Sequence, residues 1–409
     1  MKPTIQVHNY ERKLKATLER LSGEAIPEQD RKAILDFHEY LVAQGMSIPR
    51  RERVISFLAT TARQNAKPFQ DFARDDVQKL VAKLESSQYA EWTKYTYKVM
   101  VKQFFRWLRG LEGTQNPPET AWISTRLKNA KKLLPEDLLT EEEIKRLFAA
   151  AKNPRDKALI MVLYDSGCRI GEILSMRLKD VVADEKGFYL IVNGKTGARR
   201  VRLMPSVASL ANWLNHHPQR NEPQAPVWIE IKGDSHDSLS YDYTRLLLKR
   251  LFAHAGIRKR SNPHLFRHSR ATFYAANLPE SLLKEQMGWA QTSKMAGTYV
   301  HLSGKNVDDA LTELYGGKKE KRQPALTIKT CPRCDFTNDF NSQHCGRCGT
   351  ALDLSAVIRS DSDEAEFLAN LFKTLLEDQS MKRKIGEILN NSHLGGKLLE
   401  LIKTKKINQ

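Results

Sequence analysis

The stretch NPHLFRHSRATFY, residues 262–274, sets His264, Arg267, His268 and Arg270 within seven positions of one another. Asn262 is a good N-cap and Pro263 suits the first helical position, so a helix is predicted to begin here with His264 and Arg267 in its first turn. Cations in a first turn oppose the helix dipole. The arrangement makes sense if an anion sits there, met by backbone amides, guanidinium and imidazole together. A metal reading would pair His264 with His268 at i, i+4. It fails on Leu265, which stands where an HExxH motif carries glutamate, and no acidic ligand lies nearby. His268 is therefore read as a packing residue, and histidines satisfied within a core are the plainest alternative for the segment as a whole.

Other stretches change that balance. SGCRIGEILSMRLKDV, residues 166–181, puts Arg169 after a glycine turn at a helix start, with Glu172 one turn later able to hold its side chain. NGKTGA, residues 193–198, is a hairpin signal with Lys195 at its tip. MGWAQTSKMAGTYVHLS, residues 287–303, offers Trp289 and Tyr299. Each has a commoner explanation when taken singly: a structural arginine, a solvated lysine, two core aromatics.

The periodicity predicts a mainly α chain with a small antiparallel β-sheet, an α+β class. Residues 1–110 read as a helical DNA-binding unit, with helices near 32–42, 51–63, 77–84 and 92–109. In the last of these, Tyr97, Val101, Phe104, Phe105 and Leu108 form an apolar face, while Lys94, Lys98, Lys102 and Arg106 form a row at i, i+4 spacing. Like charges so spaced oppose a helix, and with no acidic partner in the row they are expected to meet phosphate. Residues 111–137 read as a basic linker that itself follows a nucleic-acid backbone, with Arg126, Lys128, Lys131 and Lys132. A capping box at Thr140–Glu143 opens the next domain, 138–322, in which strands are expected at 188–192 and 200–203. A cysteine unit at 326–353 and a helical segment at 360–409 follow. Within 306–315, Val307, Ala310, Leu311 and Leu314 share a face that would dock on a neighbour or pack in cis.

The 409-residue chain is long enough for two or three cores. It carries 66 Lys+Arg against 48 Asp+Glu, a formal +18, which points to a polyanionic partner. Nucleic acid is preferred over a membrane, because the longest apolar run, Ala158 to Tyr164, is far short of the roughly 18 residues a spanning helix needs. The first residues, MKPTIQVHNYERK, have no apolar segment behind their charges and do not read as a secretory signal. A reducing, cytoplasmic setting close to the nucleoid is expected, consistent with cysteines arranged as two Cys-x-x-Cys pairs plus Cys168.

CPRC (Cys331, Cys334) and CGRC (Cys345, Cys348) enclose residues 335–344. Each pair brings two sulfurs to one tetrahedral Zn²⁺ from a tight turn, so a single closed, structural four-thiolate site is expected. Two disulfides conflict with the reducing composition, and a redox dithiol needs only one pair. The unit resembles a zinc ribbon. A segment so small cannot bury a core of its own, so the metal would supply its folding energy. His344 is surplus to four thiolates.

In order, Arg169 in its G-x-R-x-x-E context, hairpin Lys195, His264 and Arg267 as H-x-x-R, Trp289 after glycine and Tyr299 ten residues on resemble the tyrosine recombinase, or integrase, family from about 139 to 314. The helical unit before them is more loosely similar to the family's core-binding domain. Tryptophan stands where histidine is more usual, the gap to the tyrosine is slightly long, and the GWAQTSKMAGTYVHLSG wording looks closest to members from archaea and their mobile elements. The ribbon lies outside the family pattern.

The resemblance implies a site-specific recombinase that cleaves and rejoins double-stranded DNA through a 3′-phosphotyrosyl link. It needs neither ATP nor a catalytic metal and works as a tetramer on DNA. Tyr299 would be the nucleophile, Arg169 and Arg267 the clamp on the non-bridging oxygens, Lys195 the general acid for the 5′ oxygen, His264 the acceptor of the tyrosine proton, and Trp289 a packing group and hydrogen-bond donor. Glu172 would support Arg169. Two rivals remain: a type IB topoisomerase with similar residues, and a non-enzymatic DNA-binding regulator on the same fold.

Overall fold

The computed structural model describes residues 5, 7–23, 26–65, 67–127, 134–194, 197–231, 233, 236–302, 311, 315 and 326–352. It is mainly helical with a three-stranded antiparallel sheet and a small two-stranded one. The first hydrophobic core is built by α1 (Tyr10–Gly23), α2 (Glu28–Ala43), α3 (Ile48–Arg63), α4 (Arg74–Ser86), α5 (Glu91–Leu108) and the short α6 (Pro118–Ala121). Phe104 on α5 is its hub, meeting Phe37 and Phe69 edge to face at 5.2 and 5.1 Å. Helix α1 escapes the sequence reading because its inward positions, Leu14, Thr17 and Leu21, are sparse among charges.

Two boundaries of the sequence reading move. Ile5 and Val7, placed with the first unit, pack instead against the second core, where the Tyr241 amide donates to the Val7 carbonyl at 3.1 Å. The expected linker is also not a free spacer along its first half. Ile123 is buried in the first core, Arg109 Nε meets Glu119 Oε1 at 2.6 Å, and Arg106 bonds the Gly113 carbonyl and Asn116. Pro117 and Pro118 open the short helix α6 rather than freeing the chain, and Ile123 just beyond it is buried. Lys128, Lys131 and Lys132 lie outside the described residues, as do the greater part of 306–315 and all of 360–409.

The second core begins at α7 (Glu141–Ala150), where Thr140 Oγ1 accepts from the Glu143 amide at 3.2 Å and Glu143 Oε2 accepts from the Thr140 amide at 2.9 Å. Around it stand α8 (Pro154–Ser166), α9 (Ile170–Leu174), the sheet β1 (Val181–Asp184), β2 (Gly187–Gly194) and β3 (Gly197–Arg202), then α10 (Val207–Asn215), α11 (Tyr241–His254), α12 (Pro263–Asn277), α13 (Glu280–Met287) and α14 (Met295–Leu302). Helix α8 is apolar all round from Ala158 to Tyr164 and is buried on every side, which makes it the axis of the domain. The hairpin foreseen in the sequence is present and longer. Strand β1, too short and half-exposed to announce itself, adds a third strand through Val181↔Leu190 to Asp184↔Gly187.

Asp165, at the end of α8, joins three elements. Its Oδ2 accepts from the Met204 and Ser206 amides at 2.7 and 3.1 Å and from Ser206 Oγ at 2.7 Å. Arg270 on α12 donates to the Asp165 carbonyl at 3.0 Å and to Oδ1 at 3.1 Å, and the Tyr274 hydroxyl donates to the same carbonyl at 2.9 Å. Both charges are buried, with Arg270 packed against the rings of Tyr164, Phe273 and Tyr274. Removing one partner leaves the other charge buried, so Arg270→Met is expected to cost about 3–5 kcal/mol, read as a lower urea midpoint. An unchanged midpoint would show the pair to be dispensable.

The cysteine unit carries β4 (Lys329–Thr330) and β5 (Thr337–Asn338) and is fixed to the second core. Phe340 meets Phe148 on α7 edge to face at 5.5 Å, Ser209 Oγ on α10 donates to Asp339 Oδ2 at 2.6 Å, and Leu326 is buried in the core. No helix among the described residues is long and apolar enough to cross a membrane.

Candidate active site and metal centre

Helix α12 starts where its sequence dictates: Asn262 Oδ1 accepts from the Leu265 amide at 2.9 Å, with Pro263 at the first helical position. One turn in, Arg267 is 5% exposed. It reaches under α12 to donate from Nη1 to the Gly167 carbonyl at 2.9 Å and from Nη2 to the Met287 carbonyl at 2.7 Å. Gly167 terminates α8 with φ +60, and a Cβ there would meet Met287 Sδ at 3.2 Å, so glycine both makes the turn and leaves room for this approach. Burial, and then the nearby Arg169 guanidinium, push the Arg267 pKa down to about 10, which still leaves it cationic at neutral pH.

Arg169 caps α9 and is tied to Glu172 twice: its amide donates to Oε2 and its Nη1 to Oε1, both at 2.9 Å. About a third of its side chain stays exposed, so the guanidinium is held through Nη1 while part of it remains open to a ligand. Lys195 lies outside the described residues. The residue before it, Gly194, lies so close to Glu172 that a Cβ would fall 2.7 Å from Oε1.

Tyr299 on α14 is 2% exposed. The Trp289 ring stacks on it at 5.3 Å and 15°, and His268 Nδ1 is hydrogen-bonded to its hydroxyl at 2.7 Å. Burial raises the phenol pKa, and the charge of Arg267 opposes that rise. The hydrogen bond to the tyrosine thus falls on His268, which the sequence reading gave to packing, and not on His264, which it gave as the proton acceptor. At i+4 from His264, His268 lies one turn further along the same helix face, towards α14, and the sequence does not show which of the two meets α14. His264 is exposed, with its ring 6.3 Å from that of His268. Both histidines titrate below the ordinary value, by desolvation first and then by neighbouring positive charge: Arg267 and Arg169 for His264, His264 and Arg267 for His268.

A residue not singled out in the sequence, Arg199 on β3, completes the cluster. Its Nη2 and Nη1 donate to Glu172 Oε2 and Oε1 at 2.9 and 3.2 Å. Burial would raise the Glu172 pKa, but Arg199 and then Arg169 hold it below its ordinary range. A signal existed. Residues 199, 201 and 203 share one face of the strand, and Val201 and Leu203 are fully buried, so alternation turns Arg199 inward while Arg200 faces out.

The row on α5 does have acidic partners. Lys98 Nζ meets Glu85 Oε1 at 2.6 Å, Lys94 meets Glu91 at 3.2 Å and the Glu85 carbonyl at 2.8 Å, Lys102 bonds the Ile123 carbonyl and Arg106 the Gly113 carbonyl. The acidic partners come from α4 and the start of α5 itself.

The four cysteines fit one tetrahedral metal. Cys331 and Cys348 sulfurs are 3.5 Å apart and Cys334 and Cys345 sulfurs 3.7 Å apart, with all four within 4.8 Å. Zinc–sulfur bonds of about 2.3 Å give a tetrahedral edge of about 3.8 Å, whereas a disulfide needs about 2.05 Å. The Arg347 amide points at Cys345 Sγ at 3.4 Å, and Asn338 pins the second knuckle through the Gly346 amide at 2.9 Å. Among the described residues this is the only such metal-ligand cluster, and His344 is not part of it.

The fold is that of solved integrases and recombinases. The structure superposes on the integrase of transposon Tn1549 in complex with transposon right-end DNA (TM-score 0.54, 16% identity, 69% of this chain and 98% of that one). It also superposes on a lambda integrase dimer bound to a COC′ core site (TM-score 0.53, 16% identity, 75% and 88%). Residues 137–306 match the phage integrase family, and the tyrosine recombinase XerA of Pyrococcus horikoshii is 28% identical over 280 residues, covering 68% of this chain and 91% of that protein. Residues 137–306 thus carry a phage integrase domain, and these likenesses support a tyrosine-type site-specific recombinase.

Proposed function

We propose that Tyr299 attacks a DNA phosphodiester to form a 3′-phosphotyrosyl link and free a 5′ hydroxyl, which a second strand's hydroxyl later reverses. The observation that carries this reading is the Tyr299 hydroxyl at 2.7 Å from His268 Nδ1, backed by the Trp289 ring. His268 takes the phenol proton as the bond to phosphorus forms. Arg169 and Arg267 hold the two non-bridging oxygens, His264 at the start of α12 adds a donor, and the Trp289 indole packs the tyrosine and donates one hydrogen bond. Lys195 protonates the departing 5′ oxygen. Glu172 supports Arg169.

The partner is double-stranded DNA, held between the helical core-binding unit (residues 1–110) and the catalytic domain (138–322), with four protomers on two duplexes. The ribbon holds one structural Zn²⁺ through Cys331, Cys334, Cys345 and Cys348, and catalysis needs no metal. The test is to recover recombination junctions by sequencing from a host carrying the gene. The mapped site is then offered as a nicked duplex that traps the covalent adduct, with its peptide identified by mass spectrometry. An adduct at a residue other than Tyr299, or relaxation of plasmids lacking the site, would overturn the proposal.

A pH profile follows from the histidine environment. Acting as a base, His268 must be neutral, and its lowered pKa keeps it so at neutral pH. Cleavage is expected to stay level as pH falls to the ordinary histidine value of about 6.5 and to decline only below it. His264 and Arg267 also face this ring, so the apparent value belongs to the pair of histidines. His268→Gln should remove that limb with a loss of about 10²-fold or more in rate. An unaltered profile would return the proton to His264.

A further inference from the structure

Arg199 stands at the meeting of three parts of the site, and only its strand, not its role, follows from the fold. Its side chain is 8% exposed. Besides the two bonds to Glu172, its Nε donates to the Gln286 carbonyl at 3.4 Å at the end of α13, and Nη2 lies 3.5 Å from Cys168 Sγ beside Arg169. Gly288, with φ +63, lies over the guanidinium so closely that a Cβ there would sit 2.6 Å from Nη1, and the chain runs from this glycine straight into Trp289. At the other end of the hairpin, a Cβ on Gly194 would fall 3.1 Å from Nη1. One guanidinium thus touches the carboxylate that holds Arg169, the turn that delivers Trp289, and the strand end that precedes Lys195. Its neighbours differ: Arg200 and Arg202 turn outward to Asp184 and stack on Tyr189.

We propose that Arg199 is a positioning residue that locks the β2–β3 hairpin against Glu172 and the Gly288 turn, and so fixes where the hairpin presents its general acid to the scissile phosphate. Without it, Glu172 can still hold Arg169 through the bonds the two already share, so the clamp survives while the hairpin loses its anchor. The effect falls on protonation of the leaving oxygen. This rests on the strand-cleavage reading above and names which half of the chemistry Arg199 serves.

Two measurements test it. The first is amide hydrogen exchange on the full chain, without DNA. A charge-assisted bond of this kind governs local opening, so Arg199→Ala should speed exchange about tenfold or more across 187–202 and 285–289, while α7, α8 and α12 exchange as before. Arg200→Ala, which removes an outward guanidinium from the same strand, should not. Unchanged exchange in Arg199→Ala overturns the lock, and faster exchange throughout the domain makes Arg199 a general stability residue instead.

The second is single-turnover cleavage of a nicked duplex carrying the mapped site, with either oxygen or sulfur as the bridging 5′ atom. A sulfur leaving group, with an ordinary thiol pKa near 8.5, departs without a proton. Arg199→Ala should cut the oxygen substrate about 10²-fold more slowly. On the sulfur substrate it should cut within about threefold of the wild-type rate, with Arg199→Lys between the two, since one donor is kept. Equal slowing on both substrates overturns the proposal. Rescue of Arg199→Ala but not of Lys195→Ala supports the lock and moves the acid to another group on the hairpin. If the wild-type protein forms no adduct, the cleavage reading fails, and the exchange result still judges the lock.

Discussion

Tyr299→Phe is expected to abolish the covalent adduct on nicked site DNA, lowering single-turnover cleavage by on the order of 10⁵-fold or more, as loss of a nucleophile does. The substitution removes one oxygen from a side chain that is otherwise fully packed. The ring keeps its stack on Trp289 at 5.3 Å, and α14 keeps its seat on α12. The packing contribution to stability should therefore change little. What is lost is the partner of His268 Nδ1, which takes up water or remains unpaired at a cost of about 1–3 kcal/mol. DNA affinity should be unchanged within about twofold, because the phosphate-binding groups are untouched. Full cleavage by this variant, read as adduct on a denaturing gel, would remove Tyr299 from the chemistry.

Cys345→Ser is expected to release the metal and unfold residues 326–352 while leaving both helical cores intact. Structural zinc contributes about 10–16 kcal/mol to units of this kind at neutral pH, and little else in the ribbon could replace it. Its two strands are two residues each, and its burial comes largely from the sulfurs and from Phe340 against Phe148. Metal analysis should find one zinc per chain in the wild type and none in the variant, with new protease cleavage confined to the ribbon. The catalytic domain should lose the Phe340 contact, the Ser209–Asp339 bond and the buried Leu326 side chain, together on the order of 3–6 kcal/mol. Zinc absent from the wild type, or a variant ribbon that resists protease, would contradict the metal centre.

The row on α5 and the pair on α12 show where reading along the chain fails. Lys94 and Lys98 look free of acidic partners because Glu85 lies on another helix and Glu91 one turn before the row, and only packing of α4 against α5 brings Glu85 across. His264 and His268 look equivalent because both sit on one face of one helix. Which of them meets the tyrosine depends on where α14 crosses α12, and α14 approaches nearer the second histidine. Arg199 was legible in principle from strand alternation, yet its three partners lie 27, 31 and 87 positions away and leave no local trace.

The sequence by itself determined the class of the fold, the start of α12 at Asn262–Pro263, the hairpin, the four-cysteine unit and a set of candidate residues for phosphoryl transfer. All of these are local signals: caps, turn glycines, periodic faces and short ligand spacings, set by backbone chemistry within a few residues. Only the tertiary structure decided that His268 bonds Tyr299, that Glu172 is shared by Arg169 and Arg199, that Arg267 is held between the carbonyls of Gly167 and Met287, and that the ribbon is bolted to α7 and α10. The physical reason is the same in each case. A buried hydrogen bond or ion pair is satisfied by whatever the packing of distant elements brings within about 3 Å, and no pattern along one segment specifies that distance.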